Sequence, residues 1–310
     1  MTMAAAHLTA ATSSSPITYA QAAILGILQG VTELFPVSSL GHTILFPSLF
    51  GWDHVVQAQS NPESFWLAFV VMLHGGSAIG LLIYFWRDWV KIVRGFFQSL
   101  AKRKVETPYE HLAWLIVIAT IPAGILGLLF EHPLRVALAK PMIAAVFLTI
   151  NGVMLLGAER LRRSSEVRAV AARAGAVGDA PRELDTLNYK EAGAIGLAQS
   201  TALIPGISRD GVCMTAGLIR GLDHEESARF AFLLATPIIL AATLFKLPDL
   251  TGPLGAGVRT QALVAALFAA ASAVASVAFL LRYFKTKTLT PFGIYCLIFG
   301  VFNIIYLSVN

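Results

Sequence analysis

The chain has 310 residues, of which 56% are hydrophobic and only 13% are charged, a composition far from that of a soluble domain of this length. Its formal net charge of +5 is not the signature of a nucleic-acid-binding protein, because the basic residues lie beside long apolar stretches. The sequence therefore predicts an integral membrane protein whose partners include lipids and no nucleic acid.

The chain begins with a polar extension and a broken apolar helix. Residues 1–16 are rich in Ala, Thr and Ser and lack the basic residues of a signal peptide, which predicts a disordered N-terminal extension. Residues 17–50 contain an apolar stretch that ends at Phe35-Pro36 and a short second limb that starts near residue 39. A break of this kind inside an apolar region predicts a re-entrant hairpin, whose tip must be buried in protein or line a wet cavity.

The remaining elements repeat this order. Three stretches are long enough to cross about 30 Å of hydrocarbon as helices: about 66–86, 111–131 and 141–158. A segment rich in Arg, Ser and Gly, 162–186, predicts a cytoplasmic linker. A second re-entrant hairpin is predicted over 190–220, with its break at Pro205-Gly206. Three further spans follow at about 227–247, 258–281 and 289–308.

The two hairpins are copies of one motif. Gly26-Ile27-Leu28-Gln29 recurs as Gly196-Leu197-Ala198-Gln199, and Ser38 recurs as Ser208 at the same offset. Basic residues lie in predicted loops after the spans that end near residues 86, 158 and 281, which places those loops on the cytoplasmic side. Each half, 17–161 or 187–310, has one hairpin and three spans. This odd number of crossings predicts an all-α polytopic fold of two inverted repeats.

The first hairpin concentrates chemically active side chains at its tip. Gln29 and Glu33 are four residues apart and share one helix face, and a carboxylate within hydrocarbon needs a partner, water or a metal. Ser38, Ser39 and His42 follow at the break. A hydroxyl, an imidazole and a carboxylate are the parts of an activated nucleophile. Alternatively, Glu33 reaches into headgroups and the serines only cap the return helix.

The second hairpin carries an anion-binding pattern. Gly206, Ser208 and Arg209 combine backbone N–H groups at a helix start with a hydroxyl and a guanidinium, a combination that suits a phosphate group. The structural alternative is that Arg209 pairs with Asp210 or is held by carbonyl groups. His74, inside the first span, either faces the same cavity or packs against a neighbouring helix.

Both motifs resemble the signatures of the undecaprenyl-pyrophosphate phosphatase (bacitracin-resistance protein) family, over Gln29 to His42 and over Pro205 to Gly211. The resemblance implies a multi-pass bacterial inner-membrane enzyme that hydrolyses undecaprenyl diphosphate to undecaprenyl phosphate and inorganic phosphate. Such an enzyme recycles the lipid carrier of cell-wall synthesis and confers bacitracin resistance. The resemblance also implies an active site that faces the periplasm and a divalent cation, Mg²⁺ or Ca²⁺.

Carried over residue by residue, the resemblance assigns four catalytic roles. It implies Glu33 as the essential carboxylate, Ser39 as the nucleophile, His42 as the acid–base histidine and Arg209 as the phosphate-binding arginine. Further phosphate contacts are expected from Ser38, Gly206 and Ser208.

The sequence departs from the family pattern at the second tip. Asp210 stands where the family usually has Ser, Cys213 stands where it usually has Thr, and Gln29 replaces one candidate metal-binding carboxylate. We therefore expect Asp210 to restore the missing charge, so that Glu33, Gln29 and Asp210 hold the metal. The alternative is that Asp210 caps the return helix or holds Arg209 in place.

Some questions stay open at the level of sequence. Inverted repeats with broken helices are also typical of secondary transporters, so a polyprenyl-phosphate flippase or anion transporter is the alternative function. A transporter needs an anion clamp but not Ser39 and His42 beside a carboxylate. Attack by Ser39 and attack by water are both open, and so is the formation of a homodimer.

Overall fold

The computed structural model describes residues 16–60, 64–138, 140–172 and 182–309. The expected N-terminal extension, up to residue 15, and residues 173–181 of the expected linker lie outside the described residues. The described part of the chain is helical throughout apart from short connections, which confirms the predicted all-α class.

The six predicted membrane spans are confirmed. Among the described residues, six helices are long and apolar enough to cross a membrane. They are α4 (Phe65–Tyr84), α6 (Pro108–Leu138), α7 (Pro141–Ala172), α10 (His224–Thr251), α11 (Arg259–Phe284) and α12 (Thr290–Val309).

Both predicted hairpins are broken helices. The first consists of α1 (Tyr19–Leu34) and α2 (Ser39–Leu49), and the second of α8 (Tyr189–Gln199) and α9 (Arg209–Ile219). Both begin with a capping box, in which two side chains accept hydrogen bonds from each other's backbone N–H groups. The pair is Thr18 and Gln21 in the first hairpin and Asn188 and Glu191 in the second. The two return helices are capped by residues that correspond in the repeat: the Ser38 hydroxyl accepts from Gly41 N–H, and the Ser208 hydroxyl accepts from Gly211 N–H.

The structure corrects the sequence prediction in two connecting segments. The basic segment after the first span is not a loop: it forms a helix, α5 (Trp86–Lys102), because its apolar and charged residues alternate with the helical period. The third span also continues as helix to Ala172, into the region expected to be linker. A further short helix, α3 (Asp53–Ser60), follows the first hairpin.

The first helix of each hairpin packs against a span of the other half. Helix α1 lies along α11, and α8 lies along α6. Glycines at corresponding positions permit both approaches, since a Cβ on Gly26 would collide with the carbonyl oxygen of Ala265 and a Cβ on Gly196 with that of Ala119. Helix α4 packs on α10 and α11, and α7 packs on α12. Both hairpin tips are therefore enclosed by helices; that the halves are inverted repeats stays a prediction.

Candidate functional site

The two hairpin tips touch each other in the interior. The Ser38 hydroxyl accepts a hydrogen bond from the Gly206 N–H at 3.2 Å, in addition to capping α2. Ser38 has a φ of 69°, a left-handed conformation that is costly for a residue with a side chain. The two hydrogen bonds to its hydroxyl hold this conformation in place. Ser38 thus joins the tips as well as ending the first break.

Asn151, which the sequence analysis did not single out, also connects the tips. Its side-chain amide donates to the Pro36 carbonyl at 3.0 Å, and its side-chain oxygen accepts from the Ser208 N–H at 2.9 Å. The residue is fully buried in α7. The available signal was an amide side chain in the middle of an apolar span, where polar groups are rare and usually have a partner.

Glu33 lies at the centre of the converging side chains and is only 7% exposed. One carboxylate oxygen accepts from the Arg209 guanidinium at 2.8 Å. The other accepts a short hydrogen bond from the Ser39 hydroxyl and a second from the Gln29 amide at 2.8 Å. The structure thus brings together residues of both tips, as two of the predicted catalytic groups and one predicted metal ligand contact the same carboxylate.

Arg209 and Asp210 form the second side of the site. The Arg209 Nε lies 3.4 Å from an Asp210 carboxylate oxygen, and its Nη1 donates to the Ala235 carbonyl at 3.3 Å. Asp210 therefore pairs with Arg209, as the structural alternative proposed, while Ser208 caps the helix. Gly206 and Ser208 donate their N–H groups to Ser38 and Asn151, so in this structure they join the tips; their phosphate contacts stay a prediction.

The ring nitrogens of His42 contact Ser38 and Tyr295 and not the predicted nucleophile Ser39. Its Nδ1 lies 2.7 Å from the Ser38 carbonyl oxygen, and its Nε2 lies 2.7 Å from the hydroxyl of Tyr295. The ring is 1% exposed and stacks against Tyr295 and Phe299. Because a carbonyl only accepts, Nδ1 carries the proton and Nε2 accepts from the Tyr295 hydroxyl in the neutral ring. Tyr295 was not identified from the sequence.

His74 faces the site. Its Nε2 lies 3.5 Å from the Glu33 carboxylate, its Nδ1 lies 2.9 Å from the Val70 carbonyl, and 27% of its side chain is exposed. Both neighbours of the ring, the Glu33 carboxylate and the Val70 carbonyl, are hydrogen-bond acceptors. Of the two placements considered for His74, the structure shows the one that faces the cavity.

Buried side-chain oxygen atoms of Gln29 and Asp210 suit a cation that is shared with a substrate, and the binding of a metal here stays a prediction. The side-chain oxygen of Gln29 and both carboxylate oxygens of Asp210 are buried without a hydrogen-bond partner. Within the described residues, no group of three or more His, Cys, Asp or Glu side chains could hold a metal by itself. Mg²⁺ commonly binds one or two carboxylates together with substrate phosphates. The donor set suits this mode and not a closed protein cage.

Comparisons with known proteins converge on one family. The family model described as Bacitracin resistance protein BacA matches residues 22–302. A protein from Frankia alni named undecaprenyl-diphosphatase 2 is 50% identical, covering 92% of this chain and 96% of its own length. An undecaprenyl-diphosphatase from Mycolicibacterium paratuberculosis is 49% identical, covering 95% of this chain and 99% of its own length. Undecaprenyl-diphosphatase 2 from Chromobacterium violaceum is 42% identical, covering 92% of this chain and 98% of its own length.

Proposed function

The chain belongs to the bacitracin resistance protein BacA family, and from this premise we propose that it hydrolyses undecaprenyl diphosphate to undecaprenyl phosphate and inorganic phosphate. The observation that carries the proposal is the contact of Ser39, Glu33 and Arg209, which joins a nucleophile, a base and an anion-binding group at the meeting point of two tips. Hydrolysis at this site returns the lipid carrier to cell-wall synthesis and opposes bacitracin.

The Ser39 hydroxyl is the group best placed to attack. Its hydrogen bond to Glu33 lets the carboxylate accept the hydroxyl proton as Ser39 Oγ bonds to the terminal phosphorus. The bond from that phosphorus to the bridging oxygen breaks, and undecaprenyl phosphate leaves. Water then hydrolyses the phosphoserine. Direct attack by water uses the same carboxylate as base and is the alternative within this class.

Charge stabilisation supplies most of the catalysis in phosphoryl transfer. Arg209 is the cationic side chain that contacts Glu33, so its guanidinium would bind the phosphoryl oxygens beside the nucleophile. We also propose that Mg²⁺ or Ca²⁺ is held by Glu33, Gln29 and Asp210. When bound, the cation would neutralise charge on the diphosphate.

The roles of His74 and His42, the two histidines near the first tip, can be distinguished by experiment. His74 contacts Glu33 and is partly exposed, whereas the ring nitrogens of His42 are engaged by Ser38 and Tyr295. We expect His74→Gln to lower kcat by about 100-fold, the scale of a general acid–base group, and to remove one limb of the pH–rate profile. His42→Gln is expected to keep both limbs while weakening activity through lost positioning. Loss of a limb only in His42→Gln would assign the acid–base role to His42.

Purified protein reconstituted in lipid bilayers tests the function directly. We expect phosphate release from undecaprenyl diphosphate, its loss after treatment with a chelator, and its recovery when Mg²⁺ or Ca²⁺ is returned. Release that is unaffected by chelation would contradict the metal proposal but not the phosphatase. Protein that moves polyprenyl phosphate across vesicle bilayers without releasing phosphate would support the flippase alternative.

We also propose that the protein lies in the bacterial inner membrane with its site open to the periplasm. The support is the charge distribution, since basic residues follow α4 and α11 and occupy the C-terminal part of α7. Cysteines introduced as Lys104→Cys and Arg163→Cys should both be protected from an impermeant maleimide in intact cells. Labelling of one position and not the other would contradict the proposed topology.

A further inference from the structure

Helix α5 presents an exposed apolar face that no described part of the protein covers. Its large apolar side chains recur four and three residues apart and are 47–63% exposed: Trp86, Val90, Val93, Phe97 and Leu100. At 3.6 residues per turn these positions fall within an arc of about 80°. A continuous apolar row of this kind marks a surface that is in contact with lipid or another protein.

A basic face adjoins the apolar face. Arg87, Lys91 and Arg94 are also spaced four and three residues apart, and all three are exposed. The single acid of α5, Asp88, points to the protein instead, where its carboxylate accepts from Arg229 at 2.8 Å and from the Tyr109 hydroxyl at 3.3 Å. The Lys91 ammonium also donates to the Tyr109 hydroxyl at 3.4 Å, so Arg87 and Arg94 supply most of the outward charge, which is positive.

The third face attaches α5 to the protein. Ile92, Gly95 and Ser99 are buried, and a Cβ on Gly95 would come within 3.1 Å of the Glu110 backbone nitrogen. The Ser99 hydroxyl accepts from the Trp114 indole at 2.9 Å. These contacts with the start of α6 fix the rotation of α5 about its axis, so that the apolar and basic faces both point away from the protein.

The position of α5 in the chain identifies the surroundings of these two faces. It connects the end of span α4 to the start of span α6, so it lies at one surface of the membrane. Five charged residues within 17 make it unsuitable as a span. A helix with a large apolar face beside a basic face is typical of segments that lie in the plane of the membrane interface.

We infer that α5 is an interfacial helix that inserts its apolar face between acyl chains and binds anionic phospholipid headgroups through Arg87, Lys91 and Arg94. The inference is independent of the phosphatase reaction. Charge complementarity selects anionic lipid as the occupant, because a juxtamembrane Lys or Arg favours an anionic surface by about fivefold. A second copy of α5 is a poorer occupant, since pairing the apolar rows of two copies would bring their basic rows close together.

Lipid selectivity in bilayers is the direct measurement. Full-length protein is reconstituted in phosphatidylcholine with trace spin-labelled phosphatidylglycerol or phosphatidylcholine, and electron spin resonance gives the relative association of each lipid with the protein. The wild type is expected to prefer phosphatidylglycerol. The double variant Arg87→Gln/Arg94→Gln should lose at least about fivefold of that preference. A control with the same loss of charge, Arg160→Gln/Arg163→Gln, removes two exposed arginines at the end of the α7 span and should lose less of the preference, because these arginines lie on no interfacial helix.

Two kinds of result would overturn the choice of anionic lipid as the occupant. One is wild-type selectivity in Arg87→Gln/Arg94→Gln, or an equal loss in the α7 control, which would mean that anionic lipid does not bind at α5. The other is efficient disulfide dimerisation of Val93→Cys in bilayers at high lipid-to-protein ratio, which would assign the apolar face to a second copy. A nitroxide at residue 93 that oxygen reaches more readily than a polar nickel complex supports insertion, and the reverse order contradicts it.

Discussion

Replacing Glu33 by Gln is expected to lower phosphate release by at least about 100-fold, which is the scale of losing a catalytic acid–base group. The Ser39 hydroxyl now donates to this carboxylate, and a neutral amide would be a poor acceptor for its proton. The same change leaves the Arg209 guanidinium without its 2.8 Å partner. The measurement is single-turnover phosphate release in reconstituted bilayers, with substrate binding determined separately.

The control for Glu33→Gln is Glu191→Gln, which removes another carboxylate paired with an arginine. Glu191 lies 3.0 Å from Arg182 at the start of α8, outside the site, so turnover should stay close to that of the wild type. Thermal unfolding of both variants distinguishes lost chemistry from lost folding. A folded Glu33→Gln protein with nearly full activity would exclude Glu33 as the base. In the same assay, a folded and fully active Ser39→Ala protein would favour attack by water.

Arg209→Lys should impair turnover almost as severely as removal of the side chain, although the positive charge is kept. The guanidinium contacts Glu33 through Nη2, Ala235 through Nη1 and Asp210 through Nε, and one ammonium group cannot reproduce these three directions. We expect kcat/KM to fall by about 100-fold or more, since charge stabilisation dominates phosphoryl transfer.

Arg220→Lys is the matched control for Arg209→Lys because it lies at the opposite end of the same helix and is exposed. It should leave kcat/KM unchanged. The affinity for inorganic phosphate, measured by calorimetry, should fall only in Arg209→Lys. If Arg209→Lys turned over substrate like the wild type, the guanidinium would be a structural group that holds the tips together.

Much of the fold could be predicted from the sequence because the membrane imposes strong and local constraints. Spans of about 20 apolar residues and breaks at Pro and Gly are visible in any single segment. Helix α5 was not predicted as a helix, because its many charged residues lower its mean hydropathy. Its apolar residues form a pattern only at the spacing of a helix, three and four residues apart. Periodicity, and not mean hydropathy, carries that information.

Only those residues of the candidate site that lie within the two tip motifs could be predicted from the sequence. The sequence identified Glu33, Ser39 and Arg209, which come together in the structure. It did not identify Asn151 or Tyr295, because their partners are 57 or more residues away along the chain and no local pattern accompanies them. Sequence spacing also brought His42 close to Ser39 but could not show that Tyr295 and Ser38 engage both of its ring nitrogens.

The contacts between the tips also bear on how a lipid can leave the protein. In transporters with repeated halves, one half rocks against the other so that a central site opens to each side in turn. Here Gly206 is bonded to Ser38, Ser208 to Asn151, and Arg209 to Glu33, so three contacts connect the two halves where the tips meet. Rocking would leave these buried groups unpaired, at a cost of about 1–3 kcal/mol each. These contacts thus hold the two halves together at the tips. We therefore expect the lipid product to leave on the same side of the protein by which the substrate entered.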